Sequence, residues 1–384
     1  MHTFWSVGLG LAALFWIIEA IVLARGVSSI PSIRDAAPAR DPDCPTISVL
    51  FAGRDEAEKL PGALTTMLWL DYPQYEVIAV DDRSSDATGA ILEAAARKDS
   101  RLRTLRVDRL PRGWLGKPYA LERAYENSSG EWVVFTDADV HFTPDVLRRA
   151  ITLANRRHWA HLTLLSGVRM HTFGEKVAMT FFGTAFMIGT RPWAASNQRS
   201  HGYSGVGAFQ MIRRSAYEKM GTHRRLAMEV VDDMKLGKLV KQAGVSSGVA
   251  TAGDWVNVHW HAGFGNMVRG TTKNLFAATG YRVWVAATGM IGVLWLCVLP
   301  LLALPFVHGW ARVFAAVAVA LPVFATAGVA FELRAPALYA LTFPLGALVF
   351  AWMLARSTIV TLWQRGIVWR GTFYPLEELK RGLV

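Results

Sequence analysis

Short apolar segments alternate with amphipathic segments between residues 46 and 156. The apolar segments have the length of single strands, and the amphipathic ones have the spacing of helices that bury one face. This alternation predicts an α/β fold with a mostly parallel sheet, in which ligands bind at the carboxyl ends of the strands. The predicted strands are Ile47–Ala52, Tyr75–Val80, Arg103–Val107 and Trp132–Thr136, and the predicted helices are Lys59–Trp69, Ala87–Arg97, Pro118–Asn127 and Pro144–Asn155.

The pattern is less regular from about residue 160 to 270. Leu162–Val168 is compatible with a further strand. Ala178–Ile188 is apolar and fits either a core segment or a segment that lies in a membrane interface.

Four apolar runs are much longer than strands: residues 4–24, Trp284–Val307, Trp310–Phe331 and Ala337–Val360. Each approaches or exceeds the ~20 residues that a helix needs to cross a bilayer, and a buried core helix is the alternative for any one of them. No Lys or Arg precedes the first run, which favours a retained membrane anchor over a cleaved signal peptide.

The composition agrees with a membrane protein, because 52% of the residues are hydrophobic and the mean hydropathy is +0.25. We therefore expect transmembrane helices beside the α/β domain. The expected ranges are an N-terminal anchor over 1–25, a Pro-rich linker over 26–45, a catalytic domain over 46–280, C-terminal transmembrane helices over 281–361 and a basic, aromatic tail over 362–384.

Basic residues that follow the apolar runs predict the orientation in the membrane. Arg25 and Arg34 follow the first run, which places the catalytic domain in the cytoplasm of a multi-pass protein of the inner (plasma) membrane. Three later crossings would leave the tail outside, yet the basic residues of the tail favour the inside. Either one run is re-entrant or the tail breaks the rule, and we expect a cytoplasmic tail.

The net charge of +11 fits attraction to anionic lipid and to a nucleoside diphosphate. Nucleic acid is not an expected partner, since no basic helix carries interleaved stacking aromatics. Cys44 and Cys297 are the only cysteines, which argues against a disulfide framework or a zinc site.

Acidic clusters lie where strands or helices meet loops. Asp137 and Asp139 follow a predicted strand, and in an extended segment the side chains at i and i+2 point the same way. Two carboxylates at one site repel unless a cation joins them, which suits Mg²⁺ or Mn²⁺ carrying a diphosphate. The other acidic clusters are Asp55-Glu56, Asp81-Asp82 and Asp232-Asp233.

Two motifs suit a nucleotide. Asp81 and Asp82 could accept hydrogen bonds from a uracil N–H or from ribose hydroxyls, whereas the nearby Asp86 also fits a helix N-cap. Lys117 opens a helix after a Gly-containing loop, which suits a phosphate, although an ordinary exposed lysine has the same pattern.

Later motifs have both functional and structural interpretations. Gly205 and Gly207 would let the backbone approach a ligand closely, or would form an ordinary turn. Asp232 and Asp233 open a helix, where acids stabilise the helix dipole, unless one of them is free to take a proton.

His259 could complete a metal site with Asp137 and Asp139, although a pair of histidines two residues apart is common by chance. Arg269 and Lys273 lie about one helical turn apart and could hold a diphosphate or lipid headgroups.

Taken in order, these motifs resemble those of the family 2 inverting glycosyltransferases, which have the GT-A fold, over about residues 46–280. The apolar runs that follow match the membrane-bound branch of that family. Trp114–Pro118, Lys273-Asn274 and Trp369–Tyr374 are similar to the enzymes that glycosylate carotenoid, hopanoid or ceramide-type lipids.

The resemblance implies a role for each motif. The nucleotide would be held by Glu56 and the Asp81-Asp82 pair, with Arg54 as a further substrate-binding candidate. Lys117 and Asp137 would contact the nucleotide-sugar, Asp139 would carry the Mg²⁺ or Mn²⁺ ion, and Asp233, next to Asp232, would be the general base. The Gln-x-x-Arg-Trp motif of processive synthases has no counterpart here, which argues against a polymer-extending enzyme.

The sequence thus predicts transfer of one sugar from a nucleotide-sugar, with UDP favoured, to a hydroxyl of a lipid or lipid-linked acceptor. The rival enzymes are a polysaccharide synthase and a polyprenyl-phosphate glycosyltransferase of the same fold. The alternative that is not an enzyme is a membrane scaffold that binds nucleotide-sugars without turnover.

Overall fold

The chain forms two compact units in the computed structural model, which describes residues 2–258, 263–332 and 336–384. The sheet unit comprises Ile30–Val168, Pro192–His259 and Glu377–Val384. The helical unit comprises Met1–Ser29, Arg169–Arg191 and Trp260–Leu376. The domain ranges expected from the sequence stay predictions.

Eight strands of the sheet unit form one mostly parallel sheet, in the order β3-β2-β1-β4-β7-β6-β8-β5. Strands β1 to β4 run parallel, whereas β7 is antiparallel to both of its neighbours. The predicted α/β fold class is confirmed. The strands are β1 Ile47–Gly53, β2 Tyr75–Asp82, β3 Leu102–Val107, β4 Trp132–Asp137, β5 Val140–Phe142, β6 His161–Val168, β7 Gln210–Arg213 and β8 Ser247–Val258.

Helices cover both faces of this sheet because its central strands are apolar on both sides. Val49 and Phe51 of β1 pack in one buried cluster, and Leu50 and Ile78 pack in another on the opposite face. The helices that flank the sheet are α2 Leu60–Leu68, α3 Thr88–Ala96, α4 Gly116–Glu126, α5 Val146–Arg156, α7 Arg214–Met220 and α8 Asp232–Gln242.

Among its described residues, the helical unit has three helical segments that are long and apolar enough to cross a membrane: Trp5–Ser28, Trp310–Phe331 and Ala337–Trp363. A hairpin of β9 Gly366–Trp369 and β10 Thr372–Pro375 follows the last segment. The apolar stretch that contains Ala178–Ile188 is a helix of this unit. Its helices are α1 His2–Ser28, α6 Phe173–Thr190, α9 Phe264–Thr271, α10 Asn274–Ala278, α11 Val283–Cys297, α12 Leu299–Ala303, α13 Trp310–Glu332 and α14 Phe343–Trp363, and α15 Leu376–Arg381 leads back to the sheet unit.

Candidate active site

The site is built at the carboxyl ends of three adjacent strands. Strand β1 lies between β2 and β4, with Gly53 in register with Asp81 and Ala52 in register with Asp137. Parallel strands bring their carboxyl ends to the same edge of the sheet, so the acids that end β2 and β4 reach one edge.

The Asp137–Asp139 motif is a turn, which corrects one sequence inference. Asp137 is the last residue of β4, and residues 138 and 139 form a tight turn into β5. An extended segment was expected, but Ala138 is buried in the core and the chain reverses around it. Burial raises the pKa of Asp139, and the negative charge of Asp137 raises it further.

Each carboxylate of this turn faces a lysine. Lys117 Nζ donates to Asp137 Oδ1 at 2.6 Å, and Lys59 Nζ donates to Asp139 Oδ2 at 3.1 Å. No group of three or more His, Cys, Asp or Glu side chains among the described residues could hold a metal. Two carboxylates nevertheless fit Mg²⁺ or Mn²⁺, because these ions take further ligands from substrate phosphates and water.

Lys117 connects the acids of β4 with those of α8. Its Nζ lies 4.0 Å from Asp232 Oδ2, and its side chain is 23% exposed. Partial burial works to lower the pKa of Lys117, but the charges of Asp137, Asp232 and Asp233 outweigh it and raise the pKa well above its ordinary value. Lys117 therefore remains charged throughout the physiological pH range.

The acids at the end of β2 have different surroundings. Asp82 accepts two hydrogen bonds from Arg83, at 2.8 and 3.1 Å, and a Cβ on Gly116 would collide with Asp82 Oδ2. Asp81 Oδ2 is buried and accepts no hydrogen bond from the described part of the chain, although Arg106 Nη1 lies 3.5 Å away. A buried acceptor that has no hydrogen bond is suited to a donor group on a ligand.

A glycine loop joins the two halves of the site. A Cβ on Gly207 would collide with Asp137 Oδ2, and a Cβ on Gly205 would collide with the carbonyl oxygen of Asp233. The predicted close approach of this backbone to a ligand stays a prediction. A larger side chain at residue 205 would collide with the backbone of α8, and one at residue 207 would displace the carboxylate of Asp137.

Asp232 and Asp233 open α8, as the sequence predicted. Asp232 is buried, with His223 Nε2 at 4.0 Å from its Oδ2, whereas Asp233 is partly exposed and accepts a hydrogen bond from the backbone N–H of Met234 at 2.8 Å. Burial and the charge of Lys117 lower the pKa of His223 to about 3, so His223 is neutral. Of the two acids, Asp233 is the more exposed.

Residues at the end of β1 form a network with the loop after β2. Asp86 accepts from the backbone N–H of Thr88 at 2.9 Å, but the N-cap residue of α3 is Ala87, one position later than the N-cap interpretation of Asp86 requires. Arg54 Nε lies 3.9 Å from Asp55 Oδ2, and the backbone N–H of Glu56 donates to Thr88 Oγ1 at 2.8 Å. Arg54 and Glu56 therefore stand beside the β2 acids, where the sequence predicts the nucleotide.

Two predicted contributors lie in the helical unit and one lies outside the described residues. Lys273 Nζ lies 4.0 Å from the ring centre of Trp369, and Arg269 Nη2 donates to Asn266 Oδ1 at 2.6 Å. The roles of Arg269 and Lys273 toward a diphosphate stay predictions. His259 lies outside the described residues, so its role as a metal ligand stays a prediction as well.

Several residues of the site were missed in the sequence. Lys59 opens α2 directly after the β1 loop, a position that could have been noticed from the predicted helix boundary. His161, Gln210 and His223 are isolated in the sequence and meet their partners only through the fold, so no local pattern marks them.

A family comparison identifies the chain. The model of Glycosyl transferase family 21 matches residues 11–381, which is nearly the whole chain. The protein belongs to this family. It is therefore a glycosyltransferase, and the expected relation to family 2 enzymes with the GT-A fold is confirmed.

Individual relatives are more distant. The 4,4'-diaponeurosporenoate glycosyltransferase of Staphylococcus haemolyticus is 22% identical over 253 residues, which cover 65% of this chain and 66% of that protein. The beta-monoglucosyldiacylglycerol synthase of Trichormus variabilis is 33% identical over 114 residues, which cover 29% of this chain and 24% of that protein. Less than two thirds of either relative is therefore matched.

A solved structure supports the fold. The mannosyltransferase PcManGT from Pyrobaculum calidifontis, solved in complex with GDP-Man and Mn²⁺, superposes with a TM-score of 0.55 at 18% identity, covering 95% of this chain and all of that one. At this identity the likeness establishes the GT-A fold alone.

Proposed function

We propose that this family 21 glycosyltransferase transfers one sugar from a nucleoside diphosphate sugar to a hydroxyl group of a membrane lipid, with inversion at the anomeric carbon. The observation that carries the proposal is the position of Lys117, which pairs with Asp137 and feels the charges of Asp232 and Asp233. The acid predicted to contact the donor and the acid predicted to act as base thus both interact with the positive charge of Lys117. They form one site.

The proposed reaction is a single displacement. Asp233 takes the proton of the acceptor hydroxyl as its oxygen bonds to the anomeric carbon, and the bond to the diphosphate breaks with its electron pair. Lys117 orients the donor through charge, and the Asp81-Asp82 end of the site receives the nucleotide. When held by Asp137 and Asp139, Mg²⁺ or Mn²⁺ would supply positive charge against the developing charge of the leaving diphosphate. One displacement inverts the anomeric carbon.

The lipid acceptor is inferred from two facts. Two of the matched relatives are named as a 4,4'-diaponeurosporenoate glycosyltransferase and a beta-monoglucosyldiacylglycerol synthase. In the described part of the chain, three segments are also capable of crossing a membrane, which would anchor the protein in the compartment of apolar acceptors.

A donor panel tests this function. The protein in lipid nanodiscs, with Mn²⁺ and labelled UDP- or GDP-sugars, is expected to move the label into a monoglycosylated lipid that partitions into the organic phase, and EDTA is expected to stop the transfer. A long water-soluble polymer would identify a polysaccharide synthase, and an acid-labile phosphate-linked product would identify a polyprenyl-phosphate enzyme. Donor binding without turnover on any acceptor would contradict catalysis and support a scaffold.

We propose further that the sheet unit is cytoplasmic and that α14 does not cross the bilayer. The chain leaves the sheet unit at residue 259 and returns to it at Glu377. The tail packs within the sheet unit, since Lys235 Nζ donates to the carbonyl oxygen of Val384 at 2.7 Å. Parts of one compact unit share a compartment, so residues 260–376 cross the bilayer an even number of times.

The packing of α1 and α13 indicates which segments cross. Leu9 clusters with Ala311 and Ala315, and Trp16, later in α1, clusters with Ala318. The two helices therefore run in the same direction. If α1 crosses from outside to inside, α13 does so too, and the α11–α12 stretch must cross outward before it.

Two crossings already make an even number, so α14 has both ends on the cytoplasmic side. In agreement, the second half of α14 contacts the chain that precedes α11, with Arg356 Nη1 donating to Thr272 Oγ1 at 2.6 Å and Ser357 Oγ accepting from the backbone N–H of Phe276 at 2.9 Å. Although α14 is long enough to span, we place it in the cytoplasmic interface. Of the two alternatives that the sequence left open, this arrangement favours a re-entrant apolar run over a tail outside the cytoplasm.

Cysteine labelling tests the topology. In a protein with Cys44 and Cys297 replaced by serine, His308→Cys is expected to react with a membrane-impermeant maleimide on intact cells. Gln364→Cys, which is also exposed, is expected to react only after permeabilisation. Labelling of Gln364→Cys on intact cells would show that α14 crosses and would refute the topology.

A further inference from the structure

A chain of buried polar side chains ends at the first turn of α8. Ser247 Oγ lies 2.9 Å from His161 Nδ1, and His161 Nε2 lies 3.2 Å from Gln210 Oε1. Gln210 Nε2 in turn donates to the carbonyl oxygen of Asp233 at 3.1 Å. The side chains of Ser247, His161 and Gln210 are all buried, so each needs its partner.

The donors and acceptors of this chain are determined by chemistry. The carbonyl of Asp233 can only accept, so the amide nitrogen of Gln210 must face it and the amide oxygen must face His161. His161 then carries its proton on Nε2, and its Nδ1 accepts from the hydroxyl of Ser247. Burial lowers the pKa of His161 to about 4, which keeps this neutral tautomer at physiological pH.

Further contacts hold the loop that contains Gly205 and Gly207 against α8. Gly205 packs directly on the Asp233 carbonyl, Gly237 packs on the carbonyl oxygen of Ser204, and Thr163 Oγ1 donates to that oxygen at 3.2 Å. Two residues after Gly205, Gly207 touches Asp137. A shift of the Asp233 carbonyl would therefore change the distance between the proposed base and the donor-binding acids.

We propose that Gln210 and His161 are positioning residues, which hold the Asp233 backbone at the distance from Asp137 that sugar transfer requires. Neither residue touches substrate in this role. The inference rests on the proposed function, since it assumes that Asp233 is the base. Misplacement of a reacting group by about 1 Å costs on the order of 10²-fold in rate, so a small shift of this turn would be visible in kcat.

Gln210→Glu tests the proposal because glutamate has the shape of glutamine, but its side chain can donate a hydrogen bond only when it is protonated. As a carboxylate it places an oxygen against the Asp233 carbonyl, and we expect kcat to fall by about 10²-fold with little change in the KM for the donor. As the pH falls, the protonated acid donates to the carbonyl again, and kcat should recover relative to wild type. Gln210→Met, which cannot donate at any pH, should lose activity without this recovery.

Ser48→Ala is the matched control for stability. Ser48 is a buried residue of β1 that donates to Glu76 at 2.7 Å and accepts from the backbone N–H of Gly130 at 2.8 Å, away from the site. It should lower the melting temperature and leave kcat unchanged. Wild-type kcat for Gln210→Glu at every pH, or a loss of kcat in Ser48→Ala equal to that in Gln210→Met, would overturn the positioning role.

The same assay separates this inference from the proposed function. If Asp233→Asn were inactive and Gln210→Glu fully active, the positioning role of Gln210 and His161 would be rejected, whereas the proposed function would stand. An active Asp233→Asn would reject the base assignment, and the positioning inference with it.

Discussion

Replacing Asp233 by asparagine is expected to reduce sugar transfer about 10²- to 10⁴-fold, because the acceptor hydroxyl would lose its general base. Asparagine keeps the size of the side chain and can still accept the hydrogen bond from Met234 N–H. The fold and donor binding should therefore be retained. The measurement is kcat for labelled lipid product, together with the affinity for the nucleoside diphosphate and the melting temperature.

Asp43→Asn is the matched control for this prediction. Asp43 is an exposed acid before β1 that pairs with the exposed Arg40 at 3.1 Å, so the same chemical change should have no effect on transfer. If Asp233→Asn turned over at the control rate, Asp233 would not be the base. If it lost activity only through a fall in melting temperature, the role would be structural.

Lys117→Met is expected to lower kcat/KM by about 10²-fold or more, since an oriented charge in the site would be lost. Methionine keeps much of the length of lysine, but Asp137, Asp232 and Asp233 would then lack the positive charge that they share. Removing a positive neighbour raises the pKa of a carboxyl group. The acid limb of the pH profile of kcat/KM should therefore move to higher pH.

This shift distinguishes a charge effect from a packing effect. Lys117→Arg, which keeps the charge, should retain the wild-type position of the acid limb even if its bulk reduces the rate. An unchanged acid limb in Lys117→Met would contradict the electrostatic link between Lys117 and the acids of α8. Wild-type activity in Lys117→Met would remove the observation on which the proposed function rests.

Much of the sheet could be predicted from local pattern. The strands from Ile47 to Thr136 were found within about two residues, because buried parallel strands are short apolar runs bounded by turn residues. The acids at the strand ends were found for the same reason. The turn at Ala138 was missed, since a single small buried residue between two acids has no periodicity that separates a turn from an extended segment.

The topology of the apolar segments, by contrast, could not be predicted from local pattern. Apolar length was readable in the sequence, but the number of crossings was not, because α14 has the length and composition of a spanning helix. In the proposed topology, the return of the tail to the sheet unit supports an even number of crossings, and the parallel packing of α1 with α13 indicates which segments make them.

The sequence by itself determined the fold class, the membrane character and the order of the acidic motifs, since these depend on residue type and on spacing along the chain. Tertiary structure alone decided that Lys117 joins acids from two elements and that His161 and Gln210 reach the backbone of Asp233. Contacts of this kind join residues tens of positions apart. They arise from how β4, β7 and α8 pack, and no local pattern encodes that packing.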